Sequence, residues 1–387
     1  MNWFLDLTHP IHERSEGGAT ACLRLETSLI TRNQMNMASE VIYVAGDSRR
    51  RRRIAVLMLC LGLGIAILMS LSLGARYMSI SELKDALPQV RQAFDTSVRG
   101  GSNADVIAWL RLPRTIAGLV VGAALGIAGA MVQGHTRNVL ADPGILGVSA
   151  GASFALMLWA FFLGVPSPLM VSFVAFLGAA GATAIVFGIG SIGRGLNDPI
   201  TLIMGGAVLA AFLSTATTAL SIMKTEVLEQ LRFLGVGALS RVNYESLAIF
   251  GPILLIGILL GLATAPSLNL LVMGDDVAAG LGVNVLRSRV IGMAVFSILT
   301  GTATALVGPI GFIGLVVPHL ARNIVSTDYR WILPLSGLSG ALLLLLADVL
   351  GRVVLRPQEV QVHLVLVFIG VPFFIYVIRR RKSLVKL

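Results

Sequence analysis

The sequence predicts an all-α polytopic membrane protein of about ten transmembrane helices, with both termini cytoplasmic and a weak inverted repeat. Three observations predict it. Of the 387 residues, 56% are hydrophobic and only 13% charged, where soluble domains carry about 25%, and the mean hydropathy is +0.85. Charge-free runs recur at the roughly 20 residues a spanning helix needs; the longest, Pro143–Gly193, has room for two. Finally, 42 glycines beside 6% aromatics suit helices that approach closely in lipid through small residues.

Residues 1–53 are expected to form a cytoplasmic, disordered tail ending in the basic run Arg49–Arg53. A start assigned too far upstream is an equal alternative, since Met35 and Met37 lie nearer the first span. No cleavable signal follows, because no small-residue site succeeds the apolar run. Residues 54–382 form the transmembrane domain and 383–387 a short cytoplasmic tail.

Ile54–Ala75 is the first span, and Arg76–Arg114 is too charged to enter lipid. Thr115–Gln133 is the second span. Pro143–Gly193 holds the third and fourth, broken near Pro166 and Pro168. Pro199–Met223 and Ser246–Ala265 follow. Val290–Ala321 is interrupted at Gly308–Gly311 and gives two helices, the second short. Trp331–Ala347 and Val362–Ile378 complete ten. An even count puts the termini on one side, and the positive-inside bias supports the cytoplasm: Arg137, Arg194, Arg287, Arg289, Arg322, Arg330 and Arg379–Lys382 all fall inside. Arg111 and Arg114 stand against that bias. Arg114 and Arg289 each open a span with a glycine twelve residues on, Gly126 and Gly301, in opposite directions, as an inverted repeat would.

Several chemistries are excluded. No glycine precedes a lysine, so the phosphate-cradling G-x-x-x-x-G-K-[ST] loop is absent and any ATP hydrolysis belongs to another polypeptide. The five histidines are scattered, so neither a metal site nor a cofactor is expected in this chain. The net charge of +10 lies at span ends, without the aromatic interleaving of a nucleic-acid surface. Cys22 and Cys60 are not expected to pair. Gly118, Gly122 and Gly126 read as an intramolecular packing stripe, and Asp348 with Arg352 as an i, i+4 pair that eases both charges near lipid. From physics alone a secondary transporter is the runner-up. It would want ionisable groups along its path, and Asp348 is the one candidate. An ion channel would want a charged ring or a carbonyl filter, and neither is found.

Five segments then carry a resemblance. They are Arg111–Arg114; Gln133 through Asn138-Val-Leu-Ala-Asp-Pro143 to Leu146–Ala152; Gly311–Arg322 with Asp328–Arg330; Leu346–Arg352; and Ile369–Phe374. In this order and spacing the chain resembles the FecCD-type permeases of binding-protein-dependent ABC importers, over roughly residues 54–382. The resemblance implies a permease subunit, not an enzyme, in the cytoplasmic (inner) membrane of a bacterium. It would form half of a pathway for an iron–siderophore complex, with haem or cobalamin as alternative cargo. Implied partners are a second permease, identical or paralogous, a cytoplasmic ABC ATPase, an extracytoplasmic substrate-binding protein and membrane lipid, with no nucleic acid.

The resemblance also implies positions. Asn138, Val139, Leu140, Ala141, Asp142 and Pro143 match a cytoplasmic gate, Val139 replacing the family's usual proline. Asp275, Asp276, Ala278, Ala279, Gly280, Leu281 and Gly282, within Asn269–Val283, match the helices that dock on the ATPase, with the three apolar side chains offering the contact surface. Arg111, Arg114 and Arg352 match arginines that dock the binding protein. Leu234 stands where many relatives carry tryptophan.

Overall fold

The structure, a computed structural model, describes residues 50–74, 77–95, 102–164, 166–191, 199–224, 237–325, 327–355 and 358–384. The chain forms two units, Met1–Ile54 and Ala55–Leu387. The expected tail before residue 50 and Leu234 lie outside the described residues.

All regular structure among the described residues is helical. The first helix, α1, is Arg50–Ser72. A polar connector follows with α2 (Ile80–Ala86), α3 (Val90–Asp95) and α4 (Asn103–Val106). The second unit continues with α5 (Leu112–His135), α6 (Val148–Leu163), α7 (Pro168–Ser191) and α8 (Pro199–Met223). Then come α9 (Tyr244–Ala263), α10 (Ala265–Met273), α11 (Asp275–Gly280) and α12 (Val285–Val307). The last are α13 (Ile313–Val325), α14 (Tyr329–Val354) and α15 (Val362–Leu384). Every expected span holds a helix: among the described residues seven runs are long and apolar enough to cross, and three more are shorter and apolar. The expected breaks fall at Gly164–Ser167 and at Gly308–Phe312.

Side-chain caps set the starts. Ser79 and Ser102 form capping boxes with Glu82 and Asp105, and the Asn243 and Asn284 side chains accept the N–H groups of Ser246 and Arg287. Each satisfies donors that a helix start leaves open. Stops use glycine: Gly164 and Gly308 adopt φ of 83° and 82°, a region costly for residues with a Cβ.

Several helices outrun their expected spans, the second and ninth furthest. The second begins at Asn103, not Thr115, because α4 runs through a π-helical turn, Ile107–Arg111, into α5. There the Leu112 N–H reaches back five residues to the Ile107 carbonyl. The ninth runs to Val354, past Asp348 and Arg352. Both carry charges that the sequence places at span ends and the structure pairs inside the bundle.

The core is built on α5, α12 and α14, whose apolar windows are 78%, 72% and 67% buried, against 11% for α1 and 17% for α8. Helices α5 and α14 run antiparallel: Gly118 faces Leu345, Gly122 faces Gly340, and Gly126 faces Ser336. A methyl group on Gly122 would sit 2.5 Å from the Gly340 carbonyl oxygen, and one on Gly126 would overlap the Ser336 carbonyl. Only glycine admits that approach, so the stripe is an intramolecular seam. Outward faces carry Leu57, Leu177, Val208, Phe212, Leu259 and Phe368, all exposed, as a lipid solvent requires.

Candidate functional site

Charged and polar groups gather at the two ends of the α5–α14 pair. At the end where α5 begins, Asp348 is the centre, its side chain 1% exposed. Arg114 grips it through Nε at 3.0 Å and Nη2 at 2.8 Å, and reaches Glu359 at 2.7 Å through Nη1. Arg352, one turn on from Asp348, donates to it from Nε at 2.9 Å, so the expected i, i+4 pair is present. Arg352 also donates to the Ser70 and Leu73 carbonyls at 2.9 and 3.2 Å, and to Ser70 Oγ at 3.0 Å. Arg111 donates to the Leu71 carbonyl, and Thr115 Oγ1 lies 2.7 Å from Ser70 Oγ. The carbonyls that α1 leaves open at its C-terminus are thus held by arginines of α14 and of the π turn.

Arg111, Arg114 and Arg352, matched to arginines that dock the binding protein, are turned into the bundle in this structure. Arg111 and Arg352 are 5% and 2% exposed, and the Arg114 side chain 12%. Asp348 pairs both Arg114 and Arg352, and Glu359 pairs Arg114 as well, as a charge enclosed by apolar helices requires.

At the opposite end, α5 stops at His135 and the chain turns through Arg137 at φ 48°, a left-handed conformation disfavoured in any residue with a Cβ. Its guanidinium holds the Leu271 carbonyl at 3.0 and 2.6 Å and the Asp275 carboxylate. Arg289, in the first turns of α12, donates to both oxygens of Asp275 at 2.9 Å. One carboxylate at the start of α11 therefore ties the loop after α5 to α12. The two segments matched as gate and coupling helix are brought together, and the link is Arg137.

The loop itself is shaped by its side chains. Asn138 Oδ1 accepts the Leu140 N–H at 3.0 Å and Asp142 Oδ1 the Gly144 N–H at 2.8 Å, opening the short 3-10 turn Pro143–Leu146. Val139 is half-buried and Ala141 buried, while Leu140 is exposed. Desolvation pushes the Asp142 carboxyl above its ordinary range, opposed by the Gly144 N–H. Pro143 packs on Gly314 at the start of α13. The Gln133 amide donates to the Gly314 carbonyl at 3.1 Å and accepts from Arg322 at 2.6 Å. Arg322 also reaches Tyr329 Oη at 3.2 Å, and Asn269 binds the Asp328 carboxylate and the Tyr329 N–H at 2.8 Å each.

Helix α11 is framed by Gly274 at φ 128° and Gly282 at φ 83°. Asp276, Ala279, Gly280 and Leu281 are exposed, but Ala278 is fully buried. Of the apolar surface expected of Ala278, Ala279 and Leu281, only Ala278 is turned inward, and Met273 and Val277, at 66% and 45% exposure, stand uncovered beside Leu281 at 61%. Sequence reasoning missed Arg137 and Arg289 as members of this site, reading both as topological anchors and Arg289 also as the opening of a repeat.

A bundle that turns apolar side chains outward and keeps its charges to the two ends is a multispanning membrane protein. Residues 62–380 match the FecCD transport family, and the chain belongs to it. The chain is 42% identical over 313 residues to the ferric enterobactin transport system permease of Escherichia coli, covering 80% of this chain and 90% of that one. It is 38% identical to the hemin transport system permease of Yersinia pestis, over 71% of this chain and 84% of the relative. A solved inward-facing structure of a putative metal-chelate type ABC transporter superposes with a TM-score of 0.71 at 29% identity, covering 85% of this chain and 99% of the other. The chain is a transport permease of this family.

Proposed function

We propose that this permease carries an iron–siderophore complex across a bacterial cytoplasmic membrane, paired with a second permease, driven by a separate ATPase and supplied by a binding protein. In this reading α11 receives the ATPase, and the Asn138–Pro143 loop gates the cytoplasmic end of the pathway. The observation that carries the mechanism is the shared carboxylate: Asp275 begins α11 and is held by Arg137, the residue before the gate. A push on α11 would be passed through Asp275 to Arg137 and so to the loop that follows it. The siderophore assignment rests on the enterobactin relative at 42% identity.

The test is uptake of radiolabelled ferric catecholate, ferric hydroxamate and haem in a strain lacking this gene, with and without a plasmid copy. Restored uptake of a ferric siderophore alone supports the assignment. Restored haem uptake alone overturns the cargo and keeps the permease.

A further inference from the structure

The connector from Ile80 to Asp95 runs through α2, the 3-10 turn Leu87–Gln89 and α3 as one helical stretch with three distinct faces. Leu83, Ala86, Val90 and Ala93 turn inward onto a small core with Ile107 and Ala108. Glu82, Asp85, Gln89 and Gln92 form an exposed acidic and polar face. The third face is exposed and follows a 4-3-4-3 spacing: Ile80, Lys84, Leu87, Arg91 and Phe94. Its apolar members are 70%, 49% and 43% exposed, its cations fall between them, and the exposed acids stay off the stripe.

We propose that this face lies in the headgroup layer of the membrane, with Ile80, Leu87 and Phe94 entering the acyl boundary and Lys84 and Arg91 reaching lipid phosphates. Both the chemistry and the position carry it. Long basic side chains can lay their stems on apolar surface while their charges reach phosphate, and apolar residues alternating with cations on one helical face are the pattern of interfacial helices. The stretch also sits where spans end. It begins just after α1 stops at Ser72. At its far end the Phe94 ring packs edge-to-face on Trp109 and Tyr244, at 5.3 and 5.7 Å. Tyr244 is the first residue of α9 and donates to the Ala108 carbonyl at 2.6 Å, and Trp109 Nε1 donates to the Ala93 carbonyl at 3.1 Å. Aromatic residues with a polar edge mark the membrane–water boundary. The connector is therefore braced at headgroup depth by the ends of two other elements. It lies on the lipid, although too charged to enter it.

The test uses the full chain, with Cys22→Ser and Cys60→Ser, in nanodiscs of phosphatidylcholine with and without phosphatidylglycerol. Single nitroxide labels are placed through Ile80→Cys, Leu87→Cys, Asp85→Cys or Gln92→Cys, all exposed positions. Their collision rates with oxygen and with a water-soluble nickel chelate are then compared. At 80 and 87 oxygen access should be high and chelate access low; at 85 and 92 the order should invert. Adding Lys84→Glu with Arg91→Glu should raise chelate access at 87 several-fold, more strongly with phosphatidylglycerol present. Equal chelate access at all four positions overturns the proposal, as does an unchanged position 87 after charge reversal. Protection at 87 that arises only when a substrate-binding protein is added would assign the face to that protein instead of lipid.

Discussion

The two ends of this bundle each organise their arginines around one carboxylate, and they treat it in opposite ways. Asp348 is enclosed, with Arg114 and Arg352 closing over it and the end of α1 closing over them. Asp275 keeps a third of its side chain in solvent, and one of its partners, Arg137, is 37% exposed. An enclosed pair must hold its geometry, because separating it strands a charge in a medium of low dielectric. A half-solvated pair can open at modest cost, since water replaces the lost partner. The Asp348 end is built as a fastening, whereas the Asp275 end can move.

The largest effect is therefore expected from Asp348→Ala. It strips Arg352 of its carboxylate and leaves Arg114 with Glu359 alone, and should destabilise the protein by about 3–5 kcal/mol. That would read as a sharp fall in melting temperature in detergent, or as failure to accumulate. Arg111→Glu with Arg114→Glu should act likewise, since neither arginine has solvent to retreat into. A double-reversal protein with unaltered melting that loses only its binding-protein affinity would break the comparison and restore the docking surface read from the sequence.

The spans were legible because lipid demands long charge-free runs, so even the breaks at Pro166–Pro168 and Gly308–Gly311 fell where the structure has them. Misjudged ends share one cause. Arg111, Arg114, Asp348 and Arg352 look like boundaries when counted singly, and only the folded pairing makes them interior. At the Asp275 end, resemblance points to residues 138–143 and 275–282, but the link between them is not legible in the sequence. Arg137 and Asp275 are 138 residues apart, and no local periodicity couples positions so distant. Ala278 was placed on the wrong face because a six-residue helix shows too little pattern to orient it.

A smaller effect on stability is expected from Arg137→Gly. Glycine adopts φ 48° without strain, which offsets part of the lost ion pair, and Arg289 still neutralises Asp275. Melting should change by about 1 kcal/mol or less. Transport should suffer far more, with ATP hydrolysis by the assembled importer persisting while uptake falls. If uptake and hydrolysis fall together in proportion to protein recovered, Arg137 serves the fold and not the gate.

The smallest effect on the fold, and the sharpest on assembly, should come from Gly280→Arg. A side chain there meets nothing within 4 Å, and neither Gly280 nor its neighbour Ala279 is buried, so the folded permease should change by under about 0.5 kcal/mol. The same position stands beside Val277 and Leu281, which present uncovered apolar surface. Exposed apolar side chains grouped beside polar ones at a bundle end are the mark of a partner site. An arginine set into it would hold a second surface away and leave a charge to desolvate on contact. Co-purification of the ATPase with the permease should then be lost, while the permease alone keeps its melting temperature and its monodisperse elution in detergent. An ATPase complex that survives the substitution would remove α11 from the coupling interface. The half-solvated Asp275 pair would then join Arg137 to α12 without receiving a push through α11.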